Sequence, residues 1–466
     1  MLSNRFGNHI AKSVRHFICC MIAGVSLILP SSTVLSSTVT ADDAVKFVLP
    51  ETNDNVPGVG PLRRGGWFKK VWNTRRTLFA AESASGDQQN SVVFLGDSIT
   101  QGWHQDCMKM FPGLNLANRG ISGDTTRGML LRLKDDVLNL KPAAVVMLMG
   151  TNDLADDATP QMIAENTVAI MKELLKANPE TDIVYCNVMP SNAKLDRPAE
   201  KITAINKLVA KAAILIPQVT IVDTYTLFAN KEGDAKKEEF PDLLHPNKAG
   251  YEKWANAVRP VLATLGYVET EEVSMELEPT AELLFNGKNL TGWGYQPTTT
   301  QMKRSRARWQ KNNPSAPIWP IIEEAVAFDG QTSASDGRYV AVGGRLVVTT
   351  PSEGRRIQQL WTTKEFEGDF TLKLQFRATP NADSGVFVRG PQLQCRDYKL
   401  AGPYKDLEGY KEGDWNTLVI EIQGKTARCT CNGEVIEEAF QVPAKGRIGL
   451  EGDRGQIEYR ALRIVR

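Results

Sequence analysis

The sequence predicts an α/β protein, a doubly wound parallel sheet covered by helices, followed by an all-β antiparallel sandwich. Two patterns carry this expectation. Between Trp67 and Leu265, apolar strand-like runs alternate with helical stretches, as parallel strands with crossover helices require. Beyond Ala281, short segments alternate apolar and polar residues between Gly, Asn and Asp turns, as half-buried antiparallel strands do. The length of 466 residues leaves room for both, at about 150 residues per domain.

In chain order, residues 1–41 read as an export signal. Arg5, Lys12 and Arg15 lead the apolar run from Phe17 to Leu29, and a Val-Thr-Ala ends at Ala41. The run is shorter than the about 20 apolar residues needed to span a bilayer, so a cleaved leader and a periplasmic or secreted protein are expected, with no stable membrane insertion. Cys19 and Cys20 stand at the front of that run, so no lipid anchor is expected. Residues 42–66 hold Pro and Gly without periodicity and read as a lead-in, and Trp67 to Glu82 as a helix. Strands are expected at Val92–Leu95, Leu114–Ala117, Ala144–Leu148, Ile183–Val188 and Val219–Val222, and helices at Arg127–Leu138, Pro160–Lys176 and Pro246–Leu265, the last stopped by Gly266. These place one domain over 67–265. Residues 266–280, with Glu269, Glu271, Glu272, Glu276 and Glu278, read as an acidic linker. The sandwich is expected over 281–466, interrupted between Tyr295 and Asp329 by a polar loop holding Lys303, Arg304, Arg306 and Arg308.

Composition narrows the function. Lys plus Arg number 55 and Asp plus Glu 54, so no general charge draws the chain to nucleic acid or an anionic membrane. Past Ala41 only His104 and His245 remain, which excludes a His-rich zinc site and gives Ser–His chemistry two candidate bases. Of these, His104 is expected to be structural or to lie at a rim. Five cysteines also remain. Cys429 and Cys431 are expected on opposite faces of one strand, so that only one can readily reach Cys395 for a disulfide.

Four blocks carry chemistry: Gly96-Asp97-Ser98-Ile99, Asn118-Arg119-Gly120-Ile121-Ser122-Gly123-Asp124, Gly150-Thr151-Asn152-Asp153 and Asp242-Leu243-Leu244-His245. The first three each follow a predicted strand, so all four are expected at the carboxyl edge of the sheet, where open α/β folds bind ligands. Serine needs a base oriented by a third group. Ser98 is the expected nucleophile and His245 its base. Asp242, three residues before His245, is expected on the same side of a single helical turn. An oxyanion needs preorganised donors: the N–H groups of Ser98 and Gly123 and the Asn152 amide are the candidates. Thr151, Asp153 and Leu154 are candidates to line the pocket. No Gly-x-Ser-x-Gly elbow occurs.

These blocks resemble the SGNH, or GDSL-type, hydrolases over residues 67–265, and through Gly120 to Thr126 and Leu131-Arg132-Leu133 they are similar to the subfamily of the platelet-activating-factor acetylhydrolase catalytic subunits. The resemblance implies a flavodoxin-like sheet, acyl-ester hydrolysis without metal or cofactor, and the roles just given to Ser98, Gly123, Asn152, Asp242 and His245.

Leu284 to Trp293, Asp383 to Arg389, Trp415-Asn416-Thr417 and Asn432-Gly433-Glu434 are similar to the 3-keto-disaccharide hydrolases, which implies a concanavalin-like jelly roll that handles sugars. The second domain is expected to hold or process glycan, but the family often has Glu two residues after the Arg-Gly, where this chain has Gln392, so if that Glu is catalytic in the family this copy is expected only to bind. Arg389, Asp397, Glu451 and Asp453 are the candidates for a sugar site, and Trp293, Trp309, Trp319, Trp361 and Trp415 for stacking faces. The expected function is an exported serine esterase that removes a short acyl group, acetate above all, from carbohydrate. A lipid ester substrate and a non-catalytic carbohydrate-binding protein are the rivals. Oligomeric state stays open.

Overall fold

The computed structural model describes residues 47–103, 107, 109–269, 278–312, 314, 321–349, 359–397 and 406–466. The leader, His104, Glu271, Glu272, Glu276 and Trp319 lie outside the described residues. Five parallel strands, β1 (Val92–Gly96), β2 (Leu116–Gly120), β3 (Ala144–Leu148), β4 (Asp182–Cys186) and β5 (Val219–Val222), pair in the order β2-β1-β3-β4-β5. This is the flavodoxin-like order, whose direction reverses beside β1 and β3.

Alternate residues of each strand serve opposite faces. Val93, Leu95, Val145 and Met147 pack with Met129, Ile163, Ile170, Ile205 and Val209, while Val92, Phe94, Val146 and Leu148 pack with Trp103, Trp254, Val258 and Val261. Strand β2 begins two residues and ends three residues later than expected because its polar residues are satisfied inside the fold. Asn118 Nδ2 donates to Thr100 O at 2.7 Å, and buried Arg119 pairs with Glu82 at 2.8 Å and donates to Asp136 O at 3.0 Å.

The helices are α1 (Gly66–Ala84), α2 (Ser98–Gly102), α3 (Thr126–Asp136), α4 (Thr151–Ala155), α5 (Pro160–Ala177), α6 (Ala199–Ala213), α7 (Thr224–Phe228) and α8 (Lys248–Thr264). Side-chain caps set several starts. The α8 cap is Asn247, whose side chain accepts from Gly250 N at 3.0 Å, so the helix begins two residues after the expected Pro246.

The lead-in is a packed layer whose backbone is satisfied by side chains of α3 and α5. Leu49, Val56 and Leu62 join Phe68, Trp72 and Phe79 of α1. Arg127 donates to Gly60 O at 2.9 Å and Val56 O at 3.2 Å, and Asn166 holds both the N–H (2.9 Å) and the carbonyl (2.8 Å) of Val59.

The second unit is an antiparallel jelly-roll sandwich. One sheet runs Glu434–Gln441, Thr426–Cys431, Asn416–Gln423, Phe370–Ala378, Ile457–Val465, Arg345–Val348 and Tyr339–Val342 from edge to edge, with Glu282–Leu283 paired to Ile457–Val465. The other runs Gln392–Arg396, Asp383–Val388, Ile448–Leu450, Leu360–Thr362, Trp293–Tyr295 and Val326–Ala327. Leu372, Leu374 and Phe376 share a core with Val386, Val388, Ile448 and Leu450.

Two sequence expectations fail here. Cys429 and Cys431 are both buried among the core residues, because a spacing of two on a strand returns to the same face. All five described cysteines are free thiols. The basic cluster is on a helix, Thr300–Asn312, with no buried residue. A helix that is polar all round leaves no apolar period to read.

Among the described residues, side-chain contacts join the two units: Asn381 Nδ2 to Asp223 Oδ2 at 2.8 Å, Gln456 Nε2 to Pro260 O at 3.0 Å, and Lys253 to Glu412 at 3.3 Å.

Candidate active site

Three strand ends and one loop deliver the expected residues to one edge. Ser98 follows β1 and opens α2. Its Oγ donates to His245 Nε2 at 3.0 Å, and His245 Nδ1 meets Asp242 Oδ2 at 2.7 Å. Asp242 and His245 stand in a turn, not a helical turn as their spacing suggested. Leu243 takes a left-handed φ of 63°, and Asp242 Oδ1 accepts from Leu244 N at 3.0 Å and His245 N at 2.7 Å. The side chain thus replaces the backbone in closing the turn. Burial pushes the Asp242 carboxyl up, but hydrogen bonds from His245 and Leu244 outweigh it and hold the group below the usual range. It therefore stays ionised beside the imidazole. Ser191 Oγ, after β4, donates to Leu243 O at 2.8 Å and fixes the turn.

Gly123 lies in the turn after β2, closed by Asp124 N to Ile121 O at 3.1 Å. Its φ of 83° favours glycine. A Cβ there would also sit 2.4 Å from the ring of Trp67. Ser122 N donates to Gln101 Oε1 at 2.7 Å, which ties this turn to the helix that begins with Ser98. Asn152 is in the first turn of α4, after β3, and its Nδ2 donates to Asp124 O at 3.0 Å. An amide so placed has a second N–H to offer an oxyanion. Replacing Asn152 by alanine is expected to lower kcat on p-nitrophenyl acetate roughly 10²- to 10³-fold, read from steady-state rates.

The remaining pocket candidates belong elsewhere. Leu154 is in the core, Thr151 accepts from Arg197 at 3.0 Å, and Asp153 accepts from Thr126 N and Oγ1. Spacing alone did not reveal Arg63, Arg197 and the exposed Trp67, which border Gly123 and Asn152.

Beneath the site lie three buried carboxyls. Burial raises Asp97 and Asp124 to about 6 and Asp153 to about 7. Raised values mean that the folded chain holds protons the unfolded chain has released. These groups therefore favour folding less as pH climbs from about 4 to about 7. Asp153→Asn is expected to lose less stability than the parent between pH 5 and pH 7, measured by urea unfolding.

The four sugar-site candidates do not all converge, because Arg389 lies apart. Asp397 N bonds to Ala382 O and Arg389 N to Arg447 O, so these two lie at opposite ends of the strand Asp383–Val388. Seven residues of strand separate them, about 23 Å. Arg389 is buried over the Phe370 ring and donates to the Pro443 and Gly368 carbonyls. Glu451 accepts from Gln392, with Asp453 two residues on. Trp293 and Trp415 are buried. Half-buried Trp361 packs against Phe387, ring centroids 5.0 Å apart.

Fold and site together define a serine hydrolase on a doubly wound parallel sheet. Residues 94–253 match the GDSL-like lipase/acylhydrolase family, and residues 280–465 match the 3-keto-alpha-glucoside-1,2-lyase-like domain. The chain thus carries a GDSL-like acylhydrolase domain followed by a 3-keto-disaccharide hydrolase domain. It is 29% identical to platelet-activating factor acetylhydrolase IB subunit alpha1 of Rattus norvegicus, over 42% of this chain and 83% of that one. It is 28% identical to subunit alpha2 of Homo sapiens, over 42% and 84%. The structure of a GDSL-like lipase from Bacteroides thetaiotaomicron aligns with 26% identity over 40% of this chain and 96% of that one, with a TM-score of 0.36.

Proposed function

We propose that the protein is an exported esterase that removes short acyl groups, acetate above all, from carbohydrate. Ser98 is the nucleophile, His245 the base, Asp242 its orienting partner, and Ser98 N, Gly123 N and Asn152 Nδ2 the oxyanion donors. The observation that carries this is the unbroken chain from Ser98 Oγ through His245 to Asp242, at 3.0 and 2.7 Å. His245 takes the serine proton as Oγ attacks the ester carbonyl and returns it to the leaving alcohol, and water then releases the acyl group by the same route.

The acetyl preference is supported by the relatives named acetylhydrolases. The sugar preference is supported by the accompanying 3-keto-alpha-glucoside-1,2-lyase-like domain and by Trp67, 57% exposed against Gly123, where an indole face suits a sugar ring. The charged-then-apolar start supports export. The second unit holds or processes the glycan.

Rates on acetylated xylan, p-nitrophenyl acetate and a long-chain ester test the reading. Acetylated xylan is expected to be cleaved and the long chain to be the poorest substrate; preference for the long chain refutes it. A chain ending at Val268 is expected to retain p-nitrophenyl acetate activity and to lose activity on acetylated xylan, because a small ester gains nothing from a second holding site. A parallel loss of both activities, in a chain still folded by circular dichroism, would mean that the sandwich supplies part of the ester pocket.

A further inference from the structure

Arg63 lies outside residues 94–253, in the irregular segment that precedes α1, yet its guanidinium reaches two of the three residues assigned to the oxyanion. Nη1 donates to the Gly123 carbonyl at 3.1 Å and faces Asn152 Oδ1 at 3.5 Å. The rest of the group is held by Asp156, which accepts from Nε at 2.6 Å and from Nη2 at 2.8 Å. Asp156 ends the helix that contains Asn152. A second guanidinium, Arg197, places Nη2 3.5 Å from the same Oδ1 and is itself fixed on the Thr151 carbonyl and hydroxyl, both at 3.0 Å.

This arrangement decides which end of the Asn152 amide can face a substrate. The two ends of an amide are nearly alike in shape and are told apart by their partners. Turned over, the NH₂ group would meet two cations and the oxygen would meet the Asp124 carbonyl. Asn152 is 4% exposed, so water screens those clashes poorly. The nitrogen is therefore kept on the side of Asp124 O and the oxyanion. Two cations beside Oδ1 also polarise the amide and strengthen its N–H donors. A donor fixed before the reaction begins needs no reorganisation as charge develops.

We propose that Arg63 is a positioning residue of the esterase, acting through Asn152, and that the irregular segment before α1 supplies it to the catalytic unit. Arg197 is its counterpart within the matched residues. The inference rests on the ester-hydrolysis reading, which Ser98→Ala tests separately.

The test compares full-length Arg63→Ala, Arg64→Ala, Asn152→Ala and Arg63→Ala/Asn152→Ala on p-nitrophenyl acetate, with kcat and KM resolved and melting curves recorded. Arg64 is the control, because it ties the same segment through Pro50 O at 2.7 Å and Thr52 O at 2.8 Å. Arg63→Ala is expected to lower kcat about tenfold or more, with KM within about threefold, while Arg64→Ala keeps the parent kcat. In the Asn152→Ala background the Arg63 change should cost no more than about twofold, since the group it acts through is gone. Methylguanidinium is expected to restore part of the kcat of Arg63→Ala and none in the double variant. Should Arg63→Ala melt below the assay temperature, Arg63→Lys, which keeps charge but not the fork, is expected to show the same loss of kcat. Parent kcat in a folded Arg63 variant, equal losses in the Arg63 and Arg64 variants, or fully additive losses in the double variant would overturn the proposal.

Discussion

Ser98→Ala is expected to lower kcat/KM for p-nitrophenyl acetate roughly 10⁴- to 10⁶-fold, because without Oγ there is no acyl-enzyme for His245 to assist. The fold should not notice. Ser98 is half-buried and the hydroxyl's partner, His245, has a side chain 43% exposed, so no buried group loses its only partner, and the melting temperature should stay within about 2 °C of the parent. His245→Ala should fall nearly as far, and the double variant no further, since the two act as one unit. Residual activity above about 1% of the parent, in protein free of contaminating esterase, would place the nucleophile elsewhere.

The second large effect concerns stability. Arg132→Met is expected to destabilise the fold by about 3–5 kcal/mol, the usual result of removing one partner from a buried ionic network. Arg132 and Asp124 are both wholly buried and 2.7 Å apart, and Arg132 also lies 3.5 Å from Asp136. Its Nη2 donates to Gly96 O at 3.2 Å and to Arg119 O at 2.8 Å. One guanidinium thus joins the ends of β1 and β2 to α3, below the turns that carry Ser98 and Gly123. Methionine keeps most of the volume but takes the guanidinium donor from those carbonyls and leaves Asp124 without its counterion, while Asp136 keeps Arg76 at 3.1 Å. Urea unfolding measures the loss, and adding Asp124→Asn to Arg132→Met should recover part of it. A loss below about 1 kcal/mol would show that the network contributes little.

The sheet was legible because β1, β3 and β5 are apolar on both faces, and runs of that kind have few other places to go. The blocks of the candidate site were legible because they come in order and three of the four follow strands. The contacts that orient it were not. Arg63 and Asn152 are 89 positions apart, and nothing local distinguishes Arg63 from the neighbouring Arg64. Asp242 and His245 were identified by a spacing that fits both a helical turn and an Asx turn. The choice fell to Leu243, whose left-handed φ is unusual for its residue type. In the sandwich, Arg389 looked like a sugar ligand because it ends a motif strand, but its guanidinium is needed to satisfy the Gly368 and Pro443 carbonyls.

The fastenings between the two units make distance a selectable quantity. A module on a loose tether samples a volume, and its benefit declines smoothly as the tether lengthens. Here Glu412 and Gln456 grip α8, which begins three residues after His245, and Asn381 holds the end of β5. Held by these contacts, the sandwich would present a glycan from one bearing relative to Ser98. On the polysaccharide reading, a decorated chain would be sampled at a fixed stride, with an ester presented only where its spacing from the gripped sugar matches that gap. The period of acetylation along the polymer, rather than its total amount, would then set the rate.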